Sequence, residues 1–267
     1  MSEAKPAPEA VRIEKQIEIA APVGTVWNAL VNGTELSRWF PLEASVEPGK
    51  GGKISLSWGP DWTGTADIEV WEPNHRLRSV QMVAGQPVTV DWTVESHGGK
   101  TLLRVTQSNF MSGEDWEQEY FDSTNYGWGF MLLNLRHYLE YHAGKPRLVA
   151  WPKQNIDMPR QAIYNKLTGR NGIFSEDAAH ILRQGEHYSM HAANGELWTG
   201  RAEFVVLSRG FCLSVDSLNN ALAWLSIEGA KAPHDVQFWF SIYGLPASSV
   251  SEIEKSWNQK LKMLLAT

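Results

Sequence analysis

A chain of 267 residues, 43% hydrophobic and 20% charged, falls in the globular class and has room for one large domain or two ordinary ones. A net charge of −6 with scattered lysines and arginines excludes a nucleic-acid surface, and no run approaches the ~20 apolar residues of a membrane helix. A lone cysteine, Cys212, excludes an intrachain disulfide and a thiolate metal site; with no apolar leader in "MSEAKPAPEA", it points to a reducing cytoplasm.

Residues 1–10 read as a flexible tail. "RIEKQIEIA" alternates apolar and charged residues, as a half-buried strand does. "APVGTVWNAL" reads as a helix with Pro22 in its first turn and Val23, Val26, Trp27 and Leu30 on one face. "GTELSRWF" adds a short helix, with Thr34 as its N-cap. In "GKGGKISLSWG" a turn leads into a strand carrying Ile54, Leu56 and Trp58 on one face. "WTGTADIEVWEP" is a longer strand ended by Pro73, and strands "RLRSVQMV", "PVTVDWTVES" and "TLLRVTQSNF" follow. Alternation sets Val88, Val90, Trp92 and Val94 inward on one of these, and Leu103, Val105 and Gln107 on another. "DSTNYGWGFMLLNLRHYLEYH" is a long helix capped by Asp122 or Ser123. Its apolar face carries Trp128, Met131, Leu132, Leu135, Tyr138 and Leu139.

The second half repeats the first. "GPDWTGTADIEV" (Gly59–Val70) faces "GELWTGRAEFVV" (Gly195–Val206) at a spacing of 136 residues, with six of twelve positions identical. "PVGTVWNAL" faces "PRQAIYNKL", and "WGFMLLNL" faces "WNQKLKML", in the same order. Three matches at nearly constant spacing read as two tandem domains. The boundaries are 11–145 and 146–267, with the junction in "HAGKPRLVAWP". Each copy is α+β: a curved antiparallel sheet that must close around one long C-terminal helix to bury its alternating face. The glycine after each "WT", Gly64 and Gly200, marks a bend or a close backbone approach.

At "EIAAPVGTVWNALVNGTELSRWF", "TGTADIEVWEPNHRLRS", "LLRVTQSNF" and "GWGFMLLNLRHYLE" the first half resembles the activator of heat-shock protein 90 ATPase homologue-like domain of the START/Bet v 1 (SRPBCC) superfamily. The second half resembles the superfamily more weakly, with "NGIF" (Asn171–Phe174) where the first has "RWF". The resemblance implies a helix-grip fold with a pocket, and an association with stress response. It does not imply a reaction, because function lives in the site and not in the fold.

Trp39, Phe40, Trp58, Trp92, Gln107 and Trp128 are the candidate pocket-lining residues of the first domain, weighed against plain core packing for such large rings. Where the family pattern often has His, Gln107 offers an amide that does not titrate near neutral pH. The segment Met111–Thr124 sets acids beside Trp116, Tyr120 and Phe121, and reads as a flap over the pocket mouth or as a solvated face. "HYSMH" reads as a strand, so His187 and His191 lie too far apart for one zinc, and no metal or cofactor site is expected. No nucleophile elbow, dinucleotide fingerprint or phosphate loop is present. The reading is a non-catalytic protein binding a small hydrophobic or amphipathic molecule in the first domain. A co-chaperone-like module docking on a protein partner is the alternative, and a cyclase- or dehydratase-type enzyme the third reading.

Overall fold

The computed structural model describes residues 11–60, 62–110 and 115–266; the N-terminal stretch read as a tail lies outside them. The chain divides into two compact units, Met1–Tyr141 and His142–Thr267.

In the first unit β1 (Val11–Ile19) buries Ile13 and Ile19 and leaves Glu14 and Glu18 exposed, as alternation requires. α1 (Val23–Val31) starts after Pro22 and buries Val26, Trp27, Ala29 and Leu30. α2 (Gly33–Ser37) follows after a single residue. Its cap is Asn32 and not Thr34: the Glu35 N–H donates to Asn32 Oδ1 at 3.2 Å, while the Asn32 N–H closes α1 on Asn28 O. One residue thus serves both helix ends, by its backbone N–H and by its side chain, and Thr34 sits inside the second helix.

Six strands come next: β2 (Glu43–Val46), β3 (Lys53–Ser57), β4 (Thr63–Glu72), β5 (Arg76–Val83), β6 (Gln86–His97) and β7 (Lys100–Phe110). With β1 they form one antiparallel sheet in the order β1-β7-β6-β5-β4-β3-β2. The edge strand β2 is an element the sequence pattern did not disclose; four residues of "EASV" are too short for alternation to register. α3 (Asp115–Tyr141) begins well before the caps expected at Asp122 and Ser123. Nothing in "DWEQEYFDST" breaks a helix, and side-chain bonds across one turn, Gln118 to Asp122 and Ser123 to Glu119, support the early turns. Ten of the fourteen residues of the expected flap, Asp115–Thr124, are therefore the first part of α3. Met111–Glu114 and the side chain of Trp116 lie outside the described residues.

The second unit holds β8 (Arg147–Ala150), β9 (Lys153–Ile156), α4 (Arg160–Thr168), α5 (Ala178–Ile181), β10 (His187–His191), β11 (Leu197–Val206), β12 (Gly210–Val215), β13 (Ala221–Glu228), β14 (His234–Tyr243) and α6 (Ala247–Leu264). Its sheet runs β10-β11-β12-β13-β14-β8, and β9 also pairs with β14. Read from the other edge, this is the first sheet with its first strand in two pieces and its last strand missing. Pro152, which has no N–H for the ladder, sits at the break. The two units are copies of one α+β helix-grip fold.

The repeated "WTG" falls in the same strand of each copy, at the start of β4 and in β11. A Cβ on Gly200 would lie 2.1 Å from Ser214 O, and one on Gly64 would lie 2.5 Å from Gln81 Nε2. Both glycines permit a close approach, one by backbone and one by a side chain.

Candidate functional site

The inner face of the first sheet is set by the register. Gln107 pairs with Val90, Val105 with Trp92, and Leu103 with Val94. Each such pair points its side chains to the same face. Leu103, Val105, Gln107, Trp92 and Val94 are all buried. β3 brings Ile54 to the same face, buried, with Leu56 half-buried; Trp58 follows the strand, half-buried.

Five of the six candidate residues are aromatic, and the structure joins them in one cluster. Trp39, Phe40 and Trp128 form a near-parallel set: Phe40 stacks on Trp39 with centroids 5.1 Å apart and on Trp128 at 5.5 Å. Trp92 stands edge-on to Trp128 at 5.2 Å and to Trp39 at 6.2 Å. Trp58 meets Phe40 edge-on at 5.2 Å and stacks on Trp62 at 4.3 Å. Offset-stacked and edge-to-face pairs are the favoured geometries of ring quadrupoles, each worth about 0.5–1.5 kcal/mol beyond area burial. The row is graded in exposure. Trp39, Trp92 and Trp128 are buried, Phe40 and Trp58 are half-buried, and Trp62 is 61% exposed.

Gln107 closes the inner end. Its Oε1 accepts from the indole Nε1–H of Trp128 at 2.7 Å, so two of the candidates are directly bonded. Tyr120, half-buried in the early part of α3, also bonds to Gln107 and to Thr124. Burial pushes the Tyr120 hydroxyl above its ordinary value, and those two bonds partly oppose the shift. Phe121, the neighbouring flap candidate, is half-buried as well.

Trp39 and Phe40 follow directly on α2, and a polar lock that sequence reasoning missed fixes α2 to α3. The Trp39 indole donates to Ala29 O at 2.9 Å, and Asn134 of α3 donates to Trp39 O. The Tyr138 hydroxyl donates to Glu35 Oε2 at 2.6 Å; Arg38 donates to Glu35 Oε1 and, at 3.3 Å, to Tyr138. Tyr138 had been assigned only to the apolar face of the helix. The Tyr138 hydroxyl and Asn134 carry no local spacing signal, because their partners lie a hundred or so residues away; Glu35 and Arg38 alone form a local pair, at i and i+3.

The second copy is built differently at the same place. Trp198, the counterpart of Trp62, is fully buried; it lies 5.3 Å from Trp257, the counterpart of Trp128. Phe238 and Phe240 join them, with Phe238 5.0 Å from Trp257, and Phe174 of "NGIF" lies 5.7 Å from Trp198. The interior of this grip is filled with rings.

Carboxylates stay off the inner face of the first sheet, whereas Lys15 of β1, half-buried, is in register with inward-facing Val105. Asp67 and Glu69 are exposed, and Asp91 is held by Arg76 through two bonds of 3.0 and 2.7 Å. In β10, His187, Ser189 and His191 share the exposed face. Among the described residues no three His, Cys, Asp or Glu side chains group in a way that could hold a metal ion. No described helix is long and apolar enough to cross a membrane.

Residues 20–140 match the family described as Activator of Hsp90 ATPase homolog 1-like protein. No curated protein matches the chain. Among solved structures, the Aha1 dimer from Colwellia psychrerythraea is 21% identical at a TM-score of 0.45, covering 50% of this chain and 99% of its own. DynU16, from the dynemicin biosynthetic locus, is 16% identical at a TM-score of 0.44, covering 95% of this chain and 96% of its own. The di-domain ARO/CYC protein BexL, from the BE-7585A biosynthetic pathway, is 13% identical at a TM-score of 0.42, covering 96% of this chain and 97% of its own. Residues 20–140 are thus similar to the Activator of Hsp90 ATPase homolog 1-like family, and the chain as a whole is a tandem of two α+β helix-grip units.

Proposed function

We propose that the first domain binds a small, largely apolar ligand at the outer end of its aromatic row, and that the protein is a carrier or sensor and not an enzyme. The observation behind this reading is the graded row itself. Half-buried Phe40 and Trp58 and exposed Trp62 form the accessible end, with Trp92 and Trp128 as the wall behind them. Rings fixed in two near-perpendicular orientations suit a planar body, which adds one more layer to a stack. Gln107 is the polar group at the inner end and fixes Trp128, and Tyr120 bonds to it from α3. An amide there can orient a ligand by hydrogen bonding but supplies no proton near neutral pH, which weighs against cyclase or dehydratase chemistry. Residence in the cytoplasm is part of the same reading, supported by the buried free thiol of Cys212.

The similarity of residues 20–140 to the Activator of Hsp90 ATPase homolog 1-like family supports a second reading, docking on a chaperone partner. Trp62 and Met82, 61% and 62% exposed near the same end of the adjacent strands β4 and β5, are the features that favour it.

Native mass spectrometry of the purified chain, with titration of the neutral probe N-phenyl-1-naphthylamine, tests the first reading. A retained small-molecule adduct, or saturable probe binding that Trp58→Ala weakens about tenfold, supports it. No adduct and no saturable binding would refute it and leave the docking reading.

A further inference from the structure

We propose that the second domain carries a separate site for a small organic ammonium ion, at the mouth of its ring-filled grip. A cleft of about 300 Å³ opens there between α6, the turn before β11 and the loop before α6. That volume is at the lower end of what ligand pockets use, about 300–1,000 Å³, so the occupant has a single-ring or short-chain body. Its floor is the fully buried pair Trp198 and Trp257, and its apolar walls are Leu218, Leu245 and Ile253.

Two carboxylates stand on this lining, Glu196 beside β11 and Glu252 on α6, and the lining contains no lysine or arginine. Neither carboxylate has an ion-pair partner among the described residues. Glu196 is held in place: its Oε2 accepts the Trp198 indole N–H at 3.3 Å, and its own N–H donates to Asn194 Oδ1 at 3.2 Å. The α6 part of the lining runs from Ser249, in the first turn, to Trp257, with Glu252 and Ile253 about a turn further along. The positive end of the helix dipole, about half a charge, offsets the two full negative charges only in part. An apolar body against Leu218, Leu245 and Ile253, with a cationic head at the carboxylates of Glu196 and Glu252, satisfies the apolar walls and both acids; an anion would leave both acids without a counter-charge. The chain's net charge of −6 favours the approach of such a cation.

The test is a titration of the full-length protein with 2-phenylethylammonium, followed by the Trp198 indole N–H resonance, which Glu196→Gln identifies by shifting it. The expected result is a saturable shift of that resonance. The neutral analogue 2-phenylethanol binds about fivefold to tenfold more weakly, and Glu252→Gln weakens the ammonium about threefold, the scale for exposed ion pairs. Both glutamates are exposed, so neither substitution threatens the fold. Equal affinity for ammonium and alcohol, no saturable shift, or no response to Glu252→Gln overturns the proposal. The reporter lies in the second domain, so the outcome is independent of ligand binding in the first.

Discussion

Trp128→Phe tests whether the inner end of the first domain is organised by a hydrogen bond or merely packed. The substitution deletes the N–H that donates to Gln107 Oε1 at 2.7 Å, in a place where both residues are 6% exposed. Removing this donor from a buried acceptor costs about 1–3 kcal/mol, with Tyr120 still bonded to Gln107, and shrinking indole to phenyl adds about 1 kcal/mol of lost packing. The expected loss is about 2–4 kcal/mol. For a unit of this size 1 kcal/mol moves the melting midpoint by about 3–4 °C, so the shift is about 6–16 °C. Gln107→Leu alone orphans the indole N–H instead. The double variant removes both partners, and the orphan penalty is not incurred twice. A double-mutant cycle should therefore show the pair costing about 1–2 kcal/mol less than the sum of the singles. Urea denaturation followed by circular dichroism reads the cycle, with both transitions fitted because the two units can unfold separately. Single costs that add to within about 0.5 kcal/mol would refute the reasoning and leave Gln107 as an ordinary buried amide.

The two repeated glycines should respond unequally. Gly200→Ala places a Cβ 2.1 Å from a backbone carbonyl that cannot move alone, whereas Gly64→Ala meets the end of the Gln81 side chain, which can swing aside. Thermal denaturation should show a loss of about 2 kcal/mol or more for the first and under about 1 kcal/mol for the second; equal losses would contradict the geometry. Acid sensitivity should trace in part to His142. Burial lowers its imidazole below the ordinary value, against a bond to Asn220 O that raises it, with Lys145 lowering it further. A base depressed in the folded state contributes stability that is complete above its unfolded value of about 6.5 and is lost as pH falls through the folded value. Urea midpoints between pH 7.5 and 5 should therefore fall more steeply in the parent than in His142→Gln; parallel slopes would rule this out.

Alternation made most of the first sheet legible. Val88, Trp92 and Val94, and Leu103, Val105 and Gln107, point inward as their spacing requires, because a half-buried strand has only one apolar face to show. The long helix was legible from Trp128 to Leu139, where its apolar face is continuous. It was not legible from Asp115, where acids and aromatics mix and no face stands out. β2 was lost because it is short, and the cap of α2 because Asn32 serves two helices at once. Sequence spacing also could not disclose the lock of Glu35, Arg38, Tyr138 and Asn134. Local patterns record neighbours along the chain, and these bonds join residues about a hundred positions apart.

The repeated "WTG" shows why identical residues need not share a role. In the second copy the tryptophan turns inward and packs on Trp257; in the first, Trp62 remains 61% exposed. Leaving a large side chain in water forfeits about 1.5–3 kcal/mol relative to burying it. The fold can bury this one, because its own second copy does. The difference lies in α2. "RWF" delivers Phe40 onto Trp128, the place beside the long-helix tryptophan that Trp198 fills in the other copy. "NGIF" delivers Phe174 to Trp198 instead, and the ring-filled interior follows. With Phe40 supplying that contact, Trp62 is released to stack on Trp58 at the mouth. A forfeited burial that the same fold recovers elsewhere is what a binding surface costs. That is the physical reason to test the proposed ligand site at Phe40, Trp58 and Trp62 before the more deeply buried rings.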